Sequence, residues 1–277
     1  MKSANNVIEL GYRGRAILNG TEVLVTSGSM ENAVSTSYLS GYDMTGTQNK
    51  SRIFHASGVV SHTGNLSFDL TSDVCTTIKN ILKNPRSTKF QVSMYGNDSG
   101  WVMTDCVANT ISLNGSPNGL VTGSISYMSD SPAKLTVLEE TNNRDGFSET
   151  LVPYWHTGAN LVRDWSLSFS LNVIPKHCNG DEAKSYILFG IKAHSPKYLY
   201  VGEAQYDLNL SCFEKLTNIF KVKLGGKVKL GGGEIFSCST YVVTGSGLSI
   251  GGVGDINIFK YSASSHAIND NEGFEIP

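Results

Sequence analysis

Apolar and polar residues alternate with a period of two along much of this 277-residue chain. In the run from Trp165 to Val173, the side chains of Trp165, Leu167, Phe169, Leu171 and Val173 point one way, and those of Ser166, Ser168, Ser170 and Asn172 point the other. That is the pattern of a strand with one face in a core and one face wet. Leu66, Phe68 and Leu70 repeat it, as do Tyr206, Leu208 and Leu210. Further strands are predicted over 15–25, 52–61, 89–95, 101–113, 120–128, 185–193, 197–203, 221–230, 234–243 and 255–262. Turn chemistry separates them at Asn19-Gly20, His62-Thr63-Gly64, Asn97 to Gly100, Asn114-Gly115, Asn118-Gly119 and Gly231 to Gly233.

Two segments change period and read as helices. Residues 72–83 offer Ser72 as N-cap, Asp73 in the first turn, an apolar stripe of Val74, Ile78, Ile81 and Leu82, and Pro85 just beyond. Residues 211–220 do the same more briefly with Phe213, Leu216, Ile219 and Phe220. Each follows an alternating strand and precedes several more, roughly 140 residues apart, about one small domain. The parallel predicts a duplication: a β domain over 1–138, a linker over 139–152 centred on the polar run 139–150, and a second, diverged β domain over 153–277. The expected fold class is mainly β, an antiparallel barrel or sandwich with one short helix per unit.

Composition sharpens this. Charged residues are 17% of the chain, against roughly 25% in ordinary soluble domains. The net charge of −2 argues against a clamp that holds nucleic acid by a basic patch. Apolar residues, 40% of the total, are spread along the whole length, which argues against disorder. The first residues lack the apolar run of a signal peptide, and no stretch approaches the ~20 apolar residues of a spanning helix. The expectation is a soluble chain with no membrane segment. Five cysteines at wide spacing, without a CxxC pair, predict reduced and mostly buried thiols rather than a disulfide framework or zinc site.

The order of elements carries a resemblance. Arg52-Ile-Phe-His-Ala-Ser-Gly-Val-Val-Ser61, the Gly64 turn, Asn65-Leu-Ser-Phe-Asp-Leu70, the helix from Ser72 and the closing strands up to Tyr127 together resemble the tube domain of contractile and non-contractile phage tails and related injection machines. The polar segment 37–50 sits where such domains carry an extended hairpin loop that touches the next ring. The resemblance therefore implies inter-ring contact by Tyr38, Leu39, Gly41, Tyr42, Asp43, Met44, Gln48 and Lys50. It also implies a non-enzymatic virion protein, assembled in the bacterial host cytoplasm, whose copies form stacked hexameric rings around a DNA channel. Sheath, tape-measure and baseplate proteins would be its partners, and no cofactor is implied. With two tube domains per chain, the alternative is a baseplate hub or tube-initiator adaptor forming trimers of pseudo-six-fold symmetry.

Other motifs read as structural. The run Lys221-Val-Lys-Leu-Gly-Gly-Lys-Val-Lys-Leu230 lacks the spacing of a phosphate-binding loop and alternates like an edge strand. Lys221, Lys223, Lys227 and Lys229 are accordingly expected on a subunit-edge strand facing an acidic partner. His177, Cys178, Asp181 and Glu182 have ligand chemistry but no second pair at metal spacing, so a surface turn and no metal are expected. His55 and His62 are placed beside a hairpin, and no serine or cysteine stands in a nucleophile elbow, so no catalytic residue is assigned. Trp101, Trp155 and Trp165 keep a rival open, a carbohydrate-binding β-sandwich, although Trp165 heads an alternating strand and is expected in the core.

Overall fold

The computed structural model describes residues 14–35, 38–42, 51–55, 58–96, 100–115, 121–136, 153–156, 162–177, 185–188, 191–213, 224–230, 233–250 and 256–267. The first part of the chain forms β1 (Arg15–Leu18), β2 (Thr21–Ser35), a hairpin of β3 (Tyr38–Tyr42) and β4 (Ser51–His55), then β5 (Gly58–Asp69) and helix α1 (Ser72–Lys83). It continues through β6 (Phe90–Tyr95), β7 (Gly100–Gly115), β8 (Thr122–Ser129) and β9 (Lys134–Thr136). Strands β1, β2, β5, β8, β7 and β6 pair in that order, each antiparallel to the next, and β6 returns to β1, closing a six-stranded barrel.

The Asn19-Gly20 turn forms as its sequence predicts: both residues have positive φ, 49° and 83°, the hand that matches the twist of a two-residue hairpin. Leu18, Leu66, Phe68, Val92, Met103, Ile111, Leu113, Ile125 and Tyr127 fill the interior. Helix α1 covers the barrel end where β2 begins, burying Val74, Cys75, Ile78, Ile81 and Leu82, with Thr21 and Thr77 hydroxyls 2.9 Å apart at the contact. Its N-cap is Thr71, not the expected Ser72. The Thr71 backbone is extended and its hydroxyl accepts from the Val74 amide, whereas Ser72 is already helical.

The remaining strands are β10 (Pro153–His156), β11 (Val162–Ser170), β12 (Val173–Lys176), β13 (Ser185–Leu188), β14 (Ile191–His194), β15 (Tyr198–Val201), β16 (Ala204–Cys212), β17 (Leu224–Leu230), β18 (Gly233–Ser249) and β19 (Ile258–Ala267). They do not stand apart from the barrel. The first half of β7 pairs with β6 (Gly100 with Tyr95, Cys106 with Phe90), and the second half pairs on that same edge with β11, from Thr110 with Ser170 to Gly115 with Trp165. From β11 the sheet runs outward through β16, β19, β18 and β17 to β10. A short parallel contact, Ala193 with Gly58 and His194 with Val59, ties the β13–β14 hairpin to the barrel.

Several expected turns are strand. His62-Thr63-Gly64 lies in the middle of β5, paired with β2 on one edge and β8 on the other. Gly64 is needed there for packing: a Cβ would stand 2.4 Å from the Tyr127 ring. Likewise Gly115 ends β7 beneath Trp165, whose indole would lie 2.7 Å from an added Cβ. The predicted strand over 185–193 is the hairpin β13–β14. Ser211 and Cys212, expected to open the second helix, close β16, and residues 214–220 lie outside the described residues. Among the described residues α1 is the single helix.

Cys75, Cys106 and Cys212 are buried free thiols. Burial pushes the Cys75 thiol up to about 12, slightly opposed by Lys79, and the Cys212 thiol up to about 11; Cys106 is raised further, its backbone contact at Val92 opposing the burial only in part. Cys178 and the side chain of Cys238 lie outside the described residues.

Two measurements follow from this packing. Gly64→Ala should lower unfolding free energy by about 1–3 kcal/mol, because the Tyr127 ring must yield to the new methyl group; urea denaturation reads this. The raised thiols keep their protons in the folded state while unfolded thiols ionise near 8.5, so their contribution to stability is complete below about pH 8.5 and is lost as pH rises toward 12. Melting temperature should fall across that window, and replacing Cys75 and Cys212 with alanine should flatten the fall.

Candidate assembly surface

The register places side chains in rows across six strands. Asp69, Thr122, Asn114, Ser166, Asn209 and Ser262 stand side by side on β5, β8, β7, β11, β16 and β19. Two residues further along each strand, the row is Ser67, Ser124, Ser112, Ser168, Asp207 and Ser264. The third is Asn65, Ser126, Thr110, Ser170, Gln205 and His266. Side chains paired across an antiparallel ladder share a face, so these rows make one continuous surface. At ~4.8 Å per strand it spans about 24 Å across the strands.

The intervening positions make the other face. Leu66, Ile125, Ile111, Phe169 and Tyr206 form one buried row, and Phe68, Gly123, Leu113, Leu167, Leu208 and Ala263 the next. Phe169 and Tyr206 meet edge to face with ring centroids 5.4 Å apart. Gly123 has no side chain because the Phe68 ring occupies the space a Cβ would take, 2.4 Å away. The apolar rows thus fix which way the polar rows face.

No lysine or arginine occupies any position of the three polar rows; their ionisable groups are Asp69, Asp207 and His266. Hydrogen bonds run along the first row and between the second and third. Ser262 Oγ donates to Asn209 Oδ1 at 2.8 Å, Asn209 Nδ2 donates to Ser166 Oγ at 3.3 Å, and the Gln205 amide donates to both Asp207 oxygens at 3.0 and 3.1 Å. His266 lies 3.3 Å from Glu203. A shallow cleft of about 370 Å³ opens at one end, lined by Asn114, Thr122, Asp164, Ser166, Asn209 and Ser211 around Trp165. Trp165 is core, as its alternation predicts, and its indole N–H is buried with no hydrogen-bond partner among the described residues.

A second polar cluster has catalytic connectivity without catalytic access. His62 Nε2 is 2.7 Å from Ser195 Oγ, and His62 Nδ1 is 2.9 Å from Asn32 Oδ1. The Asn32 amide is oriented by Ala133, donating to its carbonyl at 3.3 Å and accepting from its N–H at 3.1 Å. Nδ1 therefore carries the hydrogen given to Asn32, and Nε2 faces the Ser195 hydroxyl. This is the nucleophile–base–orienter order of a hydrolytic triad, but His62 and Ser195 are each 1% exposed, so a substrate has no path to the hydroxyl. The cluster ties β2, β5 and the segment after β14 together instead. His62 sits inside a strand rather than beside a hairpin, because its ring fills this buried site.

The residues singled out by sequence fall as follows. Tyr38, Leu39, Gly41 and Tyr42 lie on β3, paired with β4 in a two-stranded sheet of its own; Asp43, Met44, Gln48 and Lys50 lie outside the described residues. Lys227 and Lys229 lie on β17, flanked by β10 and β18, so among the described residues the sheet edge is β10 and not the lysine strand; Lys221 and Lys223 lie outside the described residues. Pairing of β10 with Leu230 through Lys227 covers the edge that the alternating lysines were expected to guard. An open edge exists elsewhere: Val242–Ser249 of β18 pairs with β19, and among the described residues no strand lies along its other edge. That stretch is uncharged. His177 donates through Nδ1 to the His194 carbonyl at 3.1 Å, and among the described residues no three histidine, cysteine or carboxylate side chains gather as a metal site. Also among the described residues, no helix is long and apolar enough to cross a membrane. The polar rows escaped sequence reading as a site: each serine was visible in its strand, but the pairing that aligns them was not.

No protein-family model matches the chain, and no curated protein matches it. Among solved structures it is similar to the cap of the anti-feeding prophage, a tube-terminating cap, at 13% identity and a TM-score of 0.37, over 50% of this chain and 97% of that one. It is also similar to the sheath/tube terminator of the extracellular contractile injection system PVC in its extended state, at 13% identity and a TM-score of 0.36, over 48% and 99%. The sheath–tube complex of PVC gives 12% identity and a TM-score of 0.36, over 48% and 95%. Likenesses of this degree say nothing of what this chain does.

Asn32→Ala should cost about 1–3 kcal/mol in urea denaturation, since it strands His62 Nδ1 and both Ala133 backbone groups in a buried site.

Proposed function

We propose that the chain is a structural subunit of a phage-type tail or related injection machine, not an enzyme. In this reading its copies associate into stacked hexameric rings of a tube, in the virion tail, with sheath, tape-measure and baseplate proteins as neighbours. The observation that carries the proposal is the broad polar face without lysine or arginine. A wall that DNA must slide past without being gripped needs hydration and no cations, because each phosphate neutralised by a lysine or arginine releases counterions and adds affinity. Rows of Ser, Thr and Asn with isolated carboxylates have that character, so this face is assigned to the lumen.

Assembly needs strand edges that are free and carry no repelling charge, and Val242–Ser249 of β18 is such an edge. It replaces the lysine strand as the proposed junction between subunits. The β3–β4 hairpin, a separate two-stranded sheet, is the proposed contact between rings. One feature favours the hub or adaptor alternative: β7 carries its sheet directly from the barrel into β11 and the strands beyond, so one chain supplies two units' width of sheet. Trimers of pseudo-six-fold symmetry would use it.

Electron microscopy of the purified protein, with ring mass measured in parallel, tests the proposal. Rings or rods are expected, of six copies for a tube or three for a hub. Ser112→Lys combined with Ser168→Lys should leave the assemblies intact while making them retain DNA in a salt-sensitive way. Monomers under all assembly conditions, or loss of rings on introducing these lysines, would remove the lumen assignment.

A further inference from the structure

The cleft beside Trp165 exists because the sheet steps at that point. β7 ends at Gly115, opposite Trp165, whereas β11 and β16 go on pairing through Asp164 with Ser211 to Val162 with Cys212. Asp164 and Ser211 therefore stand one pair beyond the last residue of β7. Between Val162 and Asp164 the register shifts, with Arg163 as the extra residue of a bulge, a device that re-aims neighbouring side chains. Trp165, 5% exposed, is the apolar part of the wall, and Gly115 makes room for it, since an added Cβ would stand 2.7 Å from the indole nitrogen.

The polar groups of this wall have hydrogen-bonding capacity to spare. The side chains of Asn114, Thr122 and Ser211 make no hydrogen bond among the described residues. Asp164 is engaged through Oδ2 alone, by Arg163 Nε at 3.2 Å. The Trp165 indole N–H is buried without a partner. These groups select among ligand classes. An anion meets no cation in the wall: Arg163 is held by Asp164, and Lys260, which pairs with Ser211 from β19, lies outside it. A metal ion meets a single carboxylate, already paired. A flat aromatic ligand has no open ring face to stack on, because Trp165 is buried. Hydroxyls and side-chain amides both donate and accept, and a carboxylate accepts through two oxygens. Their complement is a compact body carrying several adjacent hydroxyls and some C–H surface. The volume of about 370 Å³ falls within the ~300–1,000 Å³ of small-molecule sites.

We propose that this cleft binds a neutral sugar residue, with Asp164 Oδ1 and the Asn114 amide taking adjacent hydroxyls, Ser211 and Thr122 taking others, and a C–H face against Trp165. A free monosaccharide and the terminal residue of a polysaccharide share this chemistry, and the test separates them. One chain supplies the whole site, so the inference goes beyond the tube reading and is tested without assembly.

The full chain is titrated with glucose, galactose, mannose and N-acetylglucosamine, each to about 50 mM, by calorimetry and by the indole N–H resonances. At least one sugar should bind at one site per chain and shift the Trp165 resonance, leaving in place that of Trp101, near the other end of β7. Asp164→Asn should weaken that sugar about tenfold, through loss of a charge-assisted hydrogen bond, and Ser211→Ala severalfold, both with unchanged melting temperature. Ser264→Ala, elsewhere on the polar face, should leave binding as it is. Tighter binding of the oligosaccharide built from the same sugar assigns the site to a polysaccharide end; equal or weaker binding assigns it to the free sugar. No response to any of the four sugars, a response that survives Asp164→Asn combined with Ser211→Ala, or displacement of the bound sugar by inorganic phosphate would each overturn the proposal.

Discussion

The backbone of β7 is hydrogen-bonded along both edges, to β6 and then β11 on one side, and to β9 and then β8 on the other. This one strand closes the barrel and launches the outer sheet, so its register is passed to β11 and through it to β16 and β19. A slip by one residue would turn Ile111 and Leu113 to water and Ser112 into the core. Gly115 and Gly123 hold the register against such a slip, because the rings of Trp165 and Phe68 fit only where no Cβ stands.

Polar and apolar faces are consequences of that same alignment. Serines on separate strands gain collective meaning once they stand in rows, and the wall they make is defined more by what it lacks than by any single group. Of the ionisable side chains it does carry, Asp207 is engaged by the Gln205 amide and His266 lies beside Glu203. The buried cluster of Asn32, His62 and Ser195 shows the opposite economy: three polar groups in the interior, each satisfied by the next, joining segments far apart in sequence.

The alternation from Trp165 to Val173 made β11 and its buried face legible from sequence, and the apolar stripe with Pro85 did the same for α1. Most strand positions could be read because period two needs no partner to be visible. Gly64 and Gly115 misled, since a glycine that opens a turn and one that makes room for a ring look alike in one dimension. The lysines of β17 misled similarly: alternation marks a strand, but the partner that covers its edge, β10, lies some seventy residues earlier in the chain. The polar surface depended wholly on pairing between strands, which no local pattern encodes.

The shared strand also imposes an order of events during synthesis. When the barrel strands up to β8 have left the ribosome, the Thr110–Gly115 edge of β7 still waits for β11, which begins at Val162. A nascent chain therefore passes through an interval in which a closed barrel displays an unfinished ladder of amides and carbonyls. Such an edge is a template for pairing with another chain. The speed at which residues 130–170 are translated thus sets how long each newborn molecule is exposed to its neighbours before it completes its own sheet.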